Sequence, residues 1–131
     1  MSRAIARGWA TVEIDRAVRE LSGLLRTAAA FEPVARSAVL GARCVRGPAK
    51  SSDASTPQWI VVLEPDTEGR VAAFLARHGE GWAVTWLADD AVQPREPSAG
   101  SPGPFGLETL QPGGPPRGPY RLRVSAATIE A

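Results

Sequence analysis

This chain is poor in the residues on which most site chemistry relies. Its 131 residues include one cysteine, Cys44, one histidine, His78, and one lysine, Lys50. A lone cysteine excludes an intramolecular disulfide and fits a reducing interior. With one histidine there is no zinc-type ligand spacing, and no glycine-rich phosphate loop or nucleotide fingerprint occurs. An excess of charge is missing too. Fifteen Lys plus Arg stand against 14 Asp plus Glu, giving a net charge of +1, and the two signs are interspersed. Neither nucleic acid nor a membrane surface is therefore expected as a partner. No apolar run approaches the ~18 residues of a spanning helix. The first seven residues lack the apolar core of a signal peptide. A soluble, cytoplasmic protein is expected.

What is present is ordinary for a globular domain: 44% hydrophobic and 22% charged residues. The length suits one domain over residues 1–131. Residues 9–14 alternate with period two and predict a half-buried strand. Asp15 is placed to cap a helix carrying Ala17, Val18, Leu21, Leu24 and Leu25 at helical spacing. A second strand is expected over residues 37–45, and a Ser-containing polar loop over 47–57. Residues 58–64 form the strongest strand signal, stopped by Pro65. Asp66 or Thr67 is expected to cap a second helix with Val71, Ala72, Phe74 and Leu75 inward, ended by His78-Gly79. Another apolar strand follows over 81–87. Residues 94–119 hold eight prolines and six glycines, which argues against a regular central strand or helix across most of that loop. Residues 120–124 and 128–130 offer closing strands.

The most informative stretch is 60–87, IVVLEPDTEGRVAAFLARHGEGWAVTWL. Its "LEP", "VAAFLARHGEG" and following strand are similar to the central segment of methylmalonyl-CoA epimerases and other members of the vicinal oxygen chelate superfamily, the glyoxalase and bleomycin-resistance group. The likeness is best over residues 8–93. It implies an α+β fold: paired βαβββ modules in a curled, mostly antiparallel sheet around a cavity, the second module shortened. It also implies a homodimer.

The same resemblance implies a divalent metal held by His, Glu or Gln, His and Glu. The matching positions here are Trp9, Val61, Val84 and Glu130, of which three cannot coordinate. The family's metal is therefore not expected, and no other cofactor is implied. Period two from those positions sends Thr11 and Glu13 inward with Trp9, Trp59 and Leu63 with Val61, and Trp82 and Trp86 with Val84. All four tryptophans would then line one cavity suited to a flat apolar or cationic molecule. The competing structural explanation is that the tryptophans simply fill a core. Glu13 would be a carboxylate in an apolar cup, fit for acid–base work or for pairing a ligand cation, unless it reaches solvent at the mouth. His78, Cys44 and Asp66 are read as a helix end, a small core residue and a cap.

Three functions remain. One is a metal-independent binding protein for a hydrophobic or aromatic metabolite. Another is a cofactor-independent isomerase, lyase or cyclase using Glu13. The third is an accessory interaction domain without a ligand.

Overall fold

The computed structural model describes residues 2–50, 58–89, 101–110 and 119–125. Eight strands form one sheet: β1 (Ser2–Ala10), β2 (Glu32–Ser37), β3 (Ala42–Pro48), β4 (Trp59–Pro65), β5 (Gly81–Asp89), β6 (Ser101–Gly103), β7 (Gly106–Leu110) and β8 (Tyr120–Ser125). Helix α1 (Ile14–Leu21), extended by a 3-10 turn over Ser22–Leu24, joins β1 to β2, and α2 (Arg70–His78) joins β4 to β5. The strand order is β2-β3-β4-β1-β5-β8-β7-β6. It divides at the antiparallel β1/β5 pair into two halves of the same pattern. In each half the inner strand runs parallel to the last strand of its module (β1 with β4, β5 with β8), and antiparallel pairs lead outward. The duplication implied by the resemblance is thus written in topology. The second half is the shorter one: its outer strands have 3 and 5 residues, against 6 and 7 in the first.

The sheet curls until its two ends meet. The Ala38 amide, just past β2, donates to the Pro102 carbonyl of β6 at 3.1 Å. Ser37 on β2 reaches Glu108 on β7 with its hydroxyl. Inside the curl lies the larger core, which includes Val61, Leu63, Val84, Trp86, Phe105 and Leu122. A smaller apolar layer lies between the other face and α1, where Ile14, Ala17 and Leu21 cover Val62, Trp9 and Val45.

Two features of the sequence reading change. The first strand begins at Ser2 and ends at Ala10, so residues 11–13 form a turn into α1 and Ile14 opens the helix. The stretch 37–45 is not one strand but the end of β2, a tight turn and the start of β3. Ser37 makes that turn, accepting the Leu40 amide on its hydroxyl while its carbonyl accepts the Gly41 amide. Short polar side chains compete with strand pairing in this way.

The helix ends also differ from expectation. Glu13 rather than Asp15 is the N-cap of α1, without a side-chain cap of its own. The capping oxygen comes from β4 instead: Glu64 Oε2 accepts the Ile14 amide at 2.9 Å while Oε1 takes Arg43 at 2.8 Å. Burial pushes the Glu64 carboxyl up, but those donors prevail and hold it below its ordinary value. α2 is capped at Gly69, and Asp66 pairs with Arg36 rather than with the helix. Val71 and Phe74 form the buried face of α2, and Gly79 ends it by donating to the Leu75 carbonyl, as expected. Within the proline-rich stretch, β6 and β7 do form strands, at the end of the sheet where a missing N–H is tolerated. Thr128 and Glu130 lie outside the described residues.

Candidate functional site

The concave face of the curl is built from two rows of side chains running across the strands. Arg46, Val61, Gly8, Val84 and Tyr120 are successive neighbours on β3, β4, β1, β5 and β8. Beside them run Trp59, Ala6, Trp86 and Leu122 on β4, β1, β5 and β8. Side chains paired in this way share a face. The β1 residue between Val61 and Val84 is therefore Gly8, not Trp9. It has to be small: a Cβ there would stand 2.8 Å from both Leu63 Cδ1 and Trp86 Cζ3. The indole of Trp86 takes the space that a side chain at position 8 would need.

The four tryptophans divide into two pairs. Trp59 and Trp86 are inside the curl, both set edge-on to Phe105 at centroid distances of 6.4 and 5.6 Å. Trp9 and Trp82 are on the other face, edge to face at 5.2 Å, with the Arg7 guanidinium 3.9 Å above Trp82. For Trp9 the cause is the register that puts Gly8 inside; for Trp82 it is one residue in β5. Gly8 pairs with Val84 but Trp9 pairs with Trp82, leaving Ala83 without a counterpart. Such a bulge inverts the alternation on one side of itself, so Trp82 and Trp86 point oppositely despite their even spacing. Ala10 joins the inner core because it alternates in step with Gly8, while Val12 lies beyond the end of β1 and is exposed in the turn.

The carboxylate expected inside is also a different one. Glu13 is at the start of α1 with its side chain 63% exposed, 3.9 Å from Arg16. Thr11 is buried but serves the turn, accepting the Glu13 amide at 3.1 Å. The acid inside is Glu108 on β7, wholly buried. Its Oε1 accepts the Trp86 indole N–H at 2.9 Å and its Oε2 accepts the Ser37 hydroxyl at 2.5 Å. Gly103 leaves room for this carboxyl, since a Cβ at that position would collide with it. Burial raises the Glu108 carboxyl above its ordinary value, partly offset by the two donors. Burial likewise pushes the nearby Cys44 thiol up to about 12, so it is an inert core group. His78 packs its ring 4.8 Å from Phe74 at the end of α2.

Arg46, Ser37, Phe105 and Glu108 were not singled out from the sequence. The one available signal was the alternation in Gly106-Leu107-Glu108-Thr109-Leu110, concealed by the surrounding prolines.

With this geometry in hand, solved structures offer a comparison. A Streptomyces coelicolor methylmalonyl-CoA epimerase variant in complex with 2-nitronate-propionyl-CoA superposes with a TM-score of 0.67 at 17% identity, covering 98% of this chain and 97% of the other. The Mycobacterium tuberculosis methylmalonyl-CoA epimerase gives 0.68 at 14% identity, over 94% and 87%. A methylmalonyl-CoA epimerase holding methylmalonyl-CoA and an ammonium ion gives 0.61 at 21% identity, over 100% and 99%. The fold is that of these epimerase structures, the one that the resemblance to the vicinal oxygen chelate superfamily implies. No family profile and no curated protein sequence matches the chain.

A divalent metal needs several N or O donors converging at roughly 2.0–2.6 Å. The inner row offers Val61 and Val84 on either side of Gly8, with a cation, Arg46, at one end. Among the described residues no three His, Cys, Asp or Glu side chains gather in a way that could hold a metal. The described residues do not fit the divalent metal that the resemblance implies. Nor is any described helix long and apolar enough to cross a membrane.

Proposed function

We propose that this protein is a metal-independent small-molecule-binding protein of the glyoxalase and bleomycin-resistance type, holding an aromatic or hydrophobic metabolite within its curled sheet. The observation that carries this is the composition of the concave face. Where the superfamily's metal would need donors there are Val61, Val84 and Gly8, flanked by Trp59 and Trp86. Trp59 and Arg46 at the lip are half-buried, so one indole and one cation remain within reach of solvent. Indoles give a flat guest large contact area at small entropic cost. The structural neighbours in complex with acyl-CoA compounds support a ligand in the same fold. A homodimer and a cytoplasmic setting belong to the same proposal. The ligand-contact set is proposed as Trp59, Val61, Leu63, Val84 and Trp86. The enzymatic alternative loses its proposed acid, because Glu13 is outside the curl.

A second reading has an observation of its own. Trp86 and Phe105 are 0% and 2% exposed, which also suits an interaction domain whose sheet simply encloses a packed core. Intrinsic tryptophan fluorescence separates the two when titrated with aromatic and polycyclic metabolites, with and without EDTA and added divalent ions. Saturable quenching indifferent to metal is expected for the binding protein. A response that requires metal would refute metal independence. No response to any compound would favour the ligand-free domain.

A further inference from the structure

We infer that Phe105 occupies the seat of an aromatic carboxylate ligand, with Arg46 as the anchor for the carboxylate and the β6–β7 hairpin as the element that withdraws to admit it. The inference rests on the small-molecule reading above and names its ligand class. Phe105 does not belong to any strand of the curl. It sits in the Pro104-Phe105 turn between β6 and β7, yet its ring is 98% removed from solvent, edge-on to both Trp59 and Trp86. A turn tip is normally polar and solvated. Here it delivers a flat ring between two indoles, the place a flat guest would take.

The charge at this site has no counterion among the described residues. The Arg46 guanidinium is 4.8 Å from the Trp59 ring centre and 5.1 Å from that of Phe105, and one N–H donates to the Pro104 carbonyl at 2.7 Å. Among the described residues no carboxylate lies within ion-pair distance of it. A guanidinium offers five donors in a planar fork shaped for a carboxylate, and a single carbonyl is a weak substitute. A ring carrying a carboxylate would replace Phe105 with its ring and the Pro104 carbonyl with its anion, so the Phe105 turn resembles the ligand in both parts. The hairpin is built to let go. β6 has 3 residues, and Gly106 at the turn carries φ +93, a conformation open to glycine. Hydrogen bonds from Ala38 to Pro102, from Ser37 to Glu108 and from Arg46 to Pro104 tie it to the first half of the sheet.

The test is calorimetric titration of 1-naphthoate and 1-naphthamide, and of benzoate and benzamide, into the wild type, Phe105→Ala, and Phe105→Ala/Arg46→Gln. Circular dichroism and thermal unfolding check each fold, with Phe105→Leu in reserve should the alanine variant not fold. Removing the built-in ring removes the cost of opening, so naphthoate should bind Phe105→Ala about tenfold or more tighter than wild type. The amide should bind about tenfold weaker than the acid, a preference that Arg46→Gln erases. Equal binding of acid and amide by the folded variant would overturn Arg46 as anchor and leave the wider binding reading intact. Failure of both to bind a folded Phe105 variant, while the fluorescence panel still finds a ligand for the wild type, would overturn the Phe105 seat alone. Failure in both experiments would remove the binding reading as well.

Discussion

The two tryptophan pairs make an instructive contrast. Trp59 and Trp86 share the concave face with Phe105, and Trp86 is tied through its N–H to a buried carboxyl. Trp9 and Trp82 are half-buried on the opposite face, Trp9 beside α1 and Trp82 against the Leu25, Ala49 and Ile60 cluster, with the exposed Arg7 over its ring. The residue type is the same, the four positions all lie in strands, and the spacing does not tell them apart. What differs is what each indole excludes. Inside, losing the Trp86 ring leaves a void and takes one of two donors from a buried carboxyl; outside, water reaches the half-buried positions.

The contrast predicts unequal costs. Trp86→Ala should destabilise by about 3–5 kcal/mol or prevent folding, through the cavity and the loss of the donor to Glu108 Oε1. Trp82→Ala should cost roughly 1–2 kcal/mol, the value of partial burial and one aromatic pair. Denaturant midpoints of the two variants measure the difference, and equal values would contradict the division into an inner and an outer pair.

A middle-sized effect concerns Glu108. Burial raises its carboxyl, so the folded protein keeps a proton that the unfolded chain has released. Its contribution is complete below the ordinary carboxylate range and is lost as pH rises through the raised folded value. The slope cannot exceed about 1.4 kcal/mol per pH unit for one proton. Glu108→Gln keeps an acceptor for Trp86 without the charge and should flatten this decline. A pH series of unfolding midpoints that is the same for wild type and variant would show that Glu108 does not drive it. The smallest effect is on the outer face: Arg7→Gln should cost about 0.5–1 kcal/mol, the worth of an exposed cation over an indole. A larger loss would mean that Arg7 supports more than the Trp82 ring.

The second half of the sheet extends the lesson. The strands 59–65 and 81–89 and the buried face of α2 were readable, because each is a local pattern: apolar alternation, helical spacing, a glycine stop. The site was readable only in part. Val61, Leu63 and Val84 were placed on the concave face, and Trp59 and Trp86 with them. Alternation sends Trp9, Trp82 and Glu13 inward, and they are found elsewhere. Glu108 and Phe105 were hidden in a stretch whose prolines suggest loop, since short edge strands need few consecutive N–H donors and leave little signal.

By itself, the sequence determined the class of the fold. Apolar periodicity and residue identity are local properties that survive without knowledge of neighbours. Tertiary structure alone decided which way each tryptophan points and which acid is buried. One bulged residue, Ala83, inverts the alternation of β5, and the curl brings Ser37 and Glu108, 71 positions apart, into one hydrogen bond. Both depend on pairing between distant strands, where a shift of a single residue exchanges inside for outside.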